Sequence, residues 1–124
     1  ETITDDGLAA LAAVLSPSLL RLDLDMQKCG IGDTGLSTLA LRLPRGLQQL
    51  RLGCFPLPKL GDAGVQALAE DLPPELRELS LDFSDCPQIG DAGLIALGAN
   101  LPAKLEALDL RLFNNTKIGL PGFV

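Results

Sequence analysis

The chain has 124 residues, of which 47 % are hydrophobic and 21 % charged, with 13 Gly and 9 Pro, so it can bury a core of one domain and is unlike a disordered or collagen-like polymer. Ten Lys plus Arg stand against sixteen Asp plus Glu, a net charge of −6, and the basic residues are scattered singly from Arg21 to Lys117, which argues against a nucleic-acid surface. His, Trp and Tyr are absent, which removes the commonest general base and metal ligand and the best platforms for stacking bases, so catalysis starts as a disfavoured reading.

In chain order the first element opens at Ile3-Thr4-Asp5-Asp6-Gly7-Leu8. Leu8, Leu11, Ala12 and Leu15 fall at i, i+3, i+4 and i+7, which predicts a helix with one face toward a core. Leu19-x-x-Leu22-x-Leu24 follows, and its period of two predicts a short strand whose inward row Met26 extends. The same pair of motifs then returns. Ile31-Gly32-Asp33-Thr34-Gly35-Leu36 opens a helix with the stripe Leu36, Leu39, Ala40 and Leu43, and Leu47-x-x-Leu50-x-Leu52, with Cys54, gives the next strand. Leu60-Gly61-Asp62-Ala63-Gly64-Val65 begins a third unit, with the stripe Val65, Leu68, Ala69 and Leu72 and the strand Leu76-x-x-Leu79-x-Leu81 continued by Phe83. Ile89-Gly90-Asp91-Ala92-Gly93-Leu94 begins a fourth, with Leu94, Leu97, Gly98 and Leu101, then Leu105-x-x-Leu108-x-Leu110 and Leu112. A degenerate Ile118-Gly119-Leu120-Pro121-Gly122-Phe123 starts a fifth unit without a helix.

The glycines at 7, 35, 64, 93 and 122 step by 28, 29, 29 and 29, and the leucine motifs step by 28, 29 and 29. Two motifs sharing one beat define an internal repeat. Asp5, Asp33, Asp62 and Asp91 stand where each helix needs an N-cap carboxylate. The glycine two residues later costs about 1 kcal/mol of helix propensity, which implies a close approach of the helix to a neighbouring backbone. Pro44, Pro73 with Pro74, and Pro102 are expected to stop three of the helices. Strands joined through helices run the same way, so they are expected to stack as a parallel sheet. Strands stack about 4.8 Å apart while helices need about 10 Å, so the expected shape is a short horseshoe with the sheet on its concave side and helices on its convex side.

On these motifs the sequence resembles the leucine-rich repeat family over essentially its whole length. The segment 89–94, with Leu97 and the preceding Leu76-x-x-Leu79-x-Leu81, is most similar to the cysteine-containing and ribonuclease-inhibitor-like subclasses. Those place Asn or Cys three residues after the last strand leucine, where Gln27, Phe55, Ser84 and Phe113 stand; Cys29, Cys86 and Asn115 come five residues after it. The resemblance implies an α/β leucine-rich repeat solenoid over 1–124, with about four repeats and no caps. It also implies a protein-binding scaffold that uses its concave sheet and carries out no reaction.

Outward strand positions form rows across the stack: Arg21, Gln49, Glu78, Ala107; then Asp23, Arg51, Ser80, Asp109; then Asp25, Gly53, Asp82, Arg111; then Gln27, Phe55, Ser84, Phe113. The rows are polar, mixed in sign and different in every repeat, whereas the inward rows stay apolar. The candidate protein-binding set is Arg21, Asp23, Asp25, Gln49, Arg51, Phe55, Glu78, Ser80, Asp82, Asp109, Arg111 and Phe113, with Arg51 and Arg111 as bidentate donors and the two phenylalanines as anchors. The plainer reading is a solvated face with the phenylalanines tucked under loops. Asp23, Asp25, Asp82 and Asp109 alternate with arginines in an open array, so no metal, cofactor or catalytic role is expected.

Cys29 and Cys86 fall about 10 Å apart on the strand spacing, too far for a disulfide, and are expected to line repeat junctions as small apolar groups. Asn114-Asn115-Thr116 matches a glycosylation triplet, but no leader accompanies it. The first helix, Leu8 to Leu15, is apolar nearly all round and Ile118 to Val124 is an apolar tail, so flanking repeats or another protein are expected on the ends. The partner is thus expected to be a protein, with no nucleic acid and no membrane insertion. The alternative is a structural or accessory subunit, or a fragment, of a larger multi-protein assembly that makes contact through apolar ends or the helical convex face. Free thiols point to an intracellular, cytoplasmic site, or an organelle if a leader has been removed.

Overall fold

The computed structural model describes residues 4–26 and 30–115. Gln27, Cys29, Thr116 and the 118–124 segment lie outside the described residues, and with them the fifth motif and the apolar tail. Eight elements alternate: α1 (Asp5–Ala13), β1 (Arg21–Asp25), α2 (Asp33–Arg42), β2 (Gln49–Gly53), α3 (Asp62–Glu70), β3 (Glu78–Asp82), α4 (Asp91–Ala99) and β4 (Ala107–Arg111). The strands form one parallel sheet in the order β1-β2-β3-β4. Leu22 pairs with Leu50, Leu50 with Leu79 and Leu79 with Leu108, so the leucine motifs stand in register as their spacing requires. The ladder runs one residue past the strands, where Met26 N donates to Gly53 O, Cys54 N to Asp82 O and Phe83 N to Arg111 O at 2.8–2.9 Å.

The core lies between the sheet and the row of helices. Leu39, Leu50, Leu52, Leu68, Leu79 and Leu81 are at most 2 % exposed, and each such side chain contributes about 1.5–3 kcal/mol relative to an exposed one. The helical stripes are buried in full in α2 and α3 and only in part at the two ends of the array. Leu11 in the first stripe is 37 % exposed and Leu101 in the last is 36 % exposed. Gly98, expected inward, is also exposed.

The aspartates cap helices, but not those they begin. The N-cap residues are Thr4, Gly32, Gly61 and Gly90, and the three glycines offer no side-chain acceptor. Each aspartate is the first helical residue, and Asp5, Asp33 and Asp62 reach across to the next repeat. Asp33 Oδ1 accepts from Gly61 N at 2.8 Å and Gly64 N at 2.9 Å; Asp62 Oδ1 accepts from Gly90 N at 2.7 Å and Gly93 N at 3.0 Å. Asp5 Oδ1 accepts from Gly32 N at 2.9 Å. The carboxylate therefore meets the positive end of its neighbour's helix. The corresponding glycines for Asp91, Gly119 and Gly122, lie outside the described residues. In α1 a threonine serves instead, with Thr4 Oγ1 3.5 Å from Gly7 N.

This arrangement explains the in-helix glycine. A Cβ at Gly64 would lie 2.6 Å from Asp33 Oδ1 and 3.1 Å from Asp33 Cα, and one at Gly93 would lie 2.7 Å from Asp62 Oδ1. The close approach is made chiefly by the capping carboxylate, with the neighbouring backbone just behind it. No described glycine has positive φ, so space and not conformation demands the residue.

The prolines stand beyond the helix ends, after C-caps at Leu43, Asp71 and Asn100. They build the turn into each strand: Pro44 O, Pro73 O and Pro102 O accept from Leu47 N, Leu76 N and Leu105 N at 3.1–3.3 Å, a place that Ser16 takes in the first repeat. Arg45 fastens two helix ends together, donating to Leu43 O at 3.3 Å and to Asp71 O at 2.7 Å. A cation there also suits the negative ends of α2 and α3.

Candidate functional site

Because side chains alternate along each strand, the residues between the buried leucines are presented together on the sheet's open face. That face holds a concavity of about 610 Å³ lined by the first three residues of all four strands. Of the sequence-derived set, Arg21, Asp23, Gln49, Arg51, Glu78, Ser80 and Asp109 line it. Asp25, Asp82, Arg111, Phe55 and Phe113 do not; they stand toward the C-terminal ends of the strands and in the loops beyond. Leu108, an inward-row residue, lines the concavity together with Ala107 and is 44 % exposed on β4, the last strand among the described residues.

Charges on this face are organised by register. Arg21 Nε donates to Gln49 Oε1 at 2.6 Å across the first pair of strands. Arg51 Nη1 lies 2.9 Å from Asp23 Oδ1, and this hydrogen bond and the adjoining charge raise the guanidinium pKa above its usual value. Arg111 Nη2 lies 3.5 Å from Asp109 Oδ2, two residues away along the same strand. The two arginines named as bidentate donors thus already have carboxylate neighbours. Among the described residues, no three Cys, Asp or Glu side chains are grouped to hold a metal ion. No helix among them is long and apolar enough to cross a membrane.

The third and fourth rows do not all face outward. Gly53 is buried, and a Cβ there would stand 3.3 Å from Asp25 Oδ1, so the Asp25 side chain covers it. Ser84 is 3 % exposed, its Oγ accepting from Phe113 N at 2.9 Å and its own N donating to Asp82 Oδ1 at 3.0 Å. The strands end before this row, and the chain has already turned into the loop. Phe55 is half-buried, whereas Phe113 is 69 % exposed. Asp85 and Asn114, 29 residues apart, have φ of 53° and 62°, which Asp and Asn tolerate better than most residues.

Behind this rim the loops are tied by side chains whose role the spacing alone did not reveal. Asn115 Oδ1 accepts from Cys86 N at 3.0 Å while its Nδ2 donates to Phe83 O at 2.7 Å. One repeat earlier the Cys86 thiol occupies the equivalent place, 3.2 Å from Cys54 O. Cys86 therefore lines a junction as expected, and also donates there. Burial pushes the Cys86 pKa up to about 11 and that of Cys54 further still; both are free thiols.

The family model described as Leucine Rich repeat matches residues 16–40 and 79–98. The first stretch holds β1 and most of α2, and the second most of β3 and α4. Together with four parallel strands alternating with four helices, the match supports a leucine-rich repeat family and identifies the fold as an α/β leucine-rich repeat solenoid. No curated protein matches the chain. Leucine-rich repeats generally mediate protein–protein interaction and are generally non-enzymatic.

Proposed function

We propose that the chain is a non-enzymatic interaction module that docks a protein partner on its concave strand face. The observation that carries this reading is the concavity of about 610 Å³, built from outward residues that differ between the four strands over a leucine-rich apolar core. Mixed charge and few aromatics suit a polar, reversible contact. The cysteine-containing or ribonuclease-inhibitor-like subclass is favoured by Cys86 and Asn115 sharing one ladder position. The free buried thiols favour a reducing, intracellular compartment.

A second reading, a subunit held in a larger assembly by its convex face, draws on Leu41 at 68 % and Ile95 at 56 % exposed. A photo-crosslinking residue placed at Ser80 and, separately, at Ile95 tests the two in native extract. Protein adducts at Ser80, competed away by excess unlabelled chain, are the expected result. Adducts confined to Ile95 would transfer the contact to the helices and overturn the concave-face assignment.

A further inference from the structure

The charged residues that line the concavity are Arg21, Asp23, Arg51, Glu78 and Asp109. Two partnerships use up most of them: Asp23 with Arg51, and Asp109 with Arg111. Arg21 and Glu78 form no ion pair among the described residues, and both are exposed. They stand on one row, since Arg21 pairs with Gln49 and Gln49 with Glu78. At about 4.8 Å per strand, the unmatched cation and the unmatched anion are about 9.6 Å apart along the array. Gln49 sits between them; its Oε1 already accepts from Arg21 Nε, which leaves its Nε2 to donate to a peptide carbonyl.

We infer that the concave face selects an extended, polyproline-II-like segment of its protein partner carrying an acidic and a basic side chain three residues apart, the acidic one on Arg21 and the basic one on Glu78. This rests on the concave-face reading above. The spacing is what favours that conformation: with about 3.1 Å rise and three residues per turn, residues i and i+3 share one side about 9.3 Å apart. In a β-strand, same-side residues fall at about 6.7 or 13 Å and match poorly. A helix reaches about 10.5 Å only between residues seven apart. The paired Asp23 and Arg51 offer no net charge beside this row, so the unmatched pair sets the charge order. An all-acidic or all-basic segment would place a like charge on one of the two positions.

The test uses the full chain and four fluorescent twelve-residue peptides with a central Glu-Pro-Pro-Lys, Lys-Pro-Pro-Glu, Glu-Pro-Pro-Glu or Lys-Pro-Pro-Lys, titrated by anisotropy at low ionic strength. A fifth peptide is helical, with Glu and Lys seven residues apart. The mixed-charge polyproline peptides are expected to bind at least about tenfold more tightly than either like-charge peptide, with the difference shrinking in high salt. Glu78→Arg is expected to move the preference to the Glu-Pro-Pro-Glu peptide, and Arg21→Glu to Lys-Pro-Pro-Lys. Each variant's binding of its matched peptide shows that it is folded. Equal affinity for all four, no binding of any, tighter binding of the helical peptide, or an unchanged preference in both variants would overturn the inference. If Ser80 still captures a protein in those cases, only the segment chemistry is wrong; if Ser80 captures nothing, the concave-face reading falls as well.

Discussion

Asp33→Ala removes one acceptor shared by two backbone donors of the following repeat, Gly61 N at 2.8 Å and Gly64 N at 2.9 Å. Both glycines are buried, so water replaces the carboxylate poorly. An N-cap substitution of this kind costs about 1 kcal/mol in an exposed helix, and a buried donor left without a partner costs about 1–3 kcal/mol. The expected loss is therefore about 2–4 kcal/mol, carried by the junction between the second and third repeats. With an unfolding entropy of about 0.26 kcal/mol/K for a chain this long, the midpoint falls by about 8–15 °C. Far-UV circular dichroism is the suitable probe, because the chain has no Trp or Tyr. Amide hydrogen exchange supplies the decisive assay: protection is lost at Gly61 and Gly64, at the start of α3, while the start of α2 keeps its own. Faster exchange confined to Gly35 and Leu36, or a loss below about 0.5 kcal/mol, would refute the cross-repeat cap.

Three further outcomes are expected. Gly64→Ala puts a methyl 2.6 Å from Asp33 Oδ1 and destabilises by about 1–3 kcal/mol, whereas Gly98→Ala in α4, with nothing within 4 Å, stabilises by about 0.5–1 kcal/mol; urea midpoints that move in the same direction contradict this. Asn115→Ala strands Cys86 N and Phe83 O and costs about 2–4 kcal/mol by urea titration. The Cys86 thiol titrates near 11 in the fold against about 9 when exposed. The unfolded chain therefore loses that proton first, so this contribution to stability is complete below about pH 9 and disappears as pH rises through about 11. Cys86→Ala flattens that part of the pH–stability curve, and native-state alkylation at pH 8 is much slower than alkylation in urea.

The strands and their register were legible because L-x-x-L-x-L alternates with period two and recurs on a fixed beat, so that Leu22, Leu50, Leu79 and Leu108 could stack in one way only. That Asp5, Asp33 and Asp62 stand at helix starts was legible as well. Which helix each serves was not, because the acceptor and its donors are separated by 27 to 31 residues and meet only once the repeats have stacked. On the open face, the rows could be written down from the alternation alone, and they agree with the observed pairing. Their electrostatics could not. Arg51 takes its register partner Asp23 on the preceding strand, whereas Arg111 takes Asp109 on its own strand although Asp82 stands opposite it and accepts from Ser84 N. The burial of Ser84 likewise depends on where β3 ends, which no pattern in 78–86 marks.

From each in-helix glycine to the next strand leucine the count is constant at twelve, from Gly7 to Leu19, Gly35 to Leu47, Gly64 to Leu76 and Gly93 to Leu105. The single step of 28 instead of 29 must therefore arise on the other side of the unit, between a strand and the following helix. It lies between Leu24 and Ile31, one residue shorter than between Leu52 and Leu60. Helix-to-strand segments carry the in-helix glycine and the turn into the strand, and a change of length there would shift the strand by one residue and turn its leucines outward. The first loop after a strand absorbs the one-residue difference, although the later loops are tied to one another through Cys86 and Asn115. The register that holds Arg21, Gln49 and Glu78 on one row is consequently set by the convex side of the molecule, by aspartate on glycine, while the concave side is left free to vary. Breaking Asp33 or Asp62 should therefore loosen peptide selection by the concave face even though neither residue touches it.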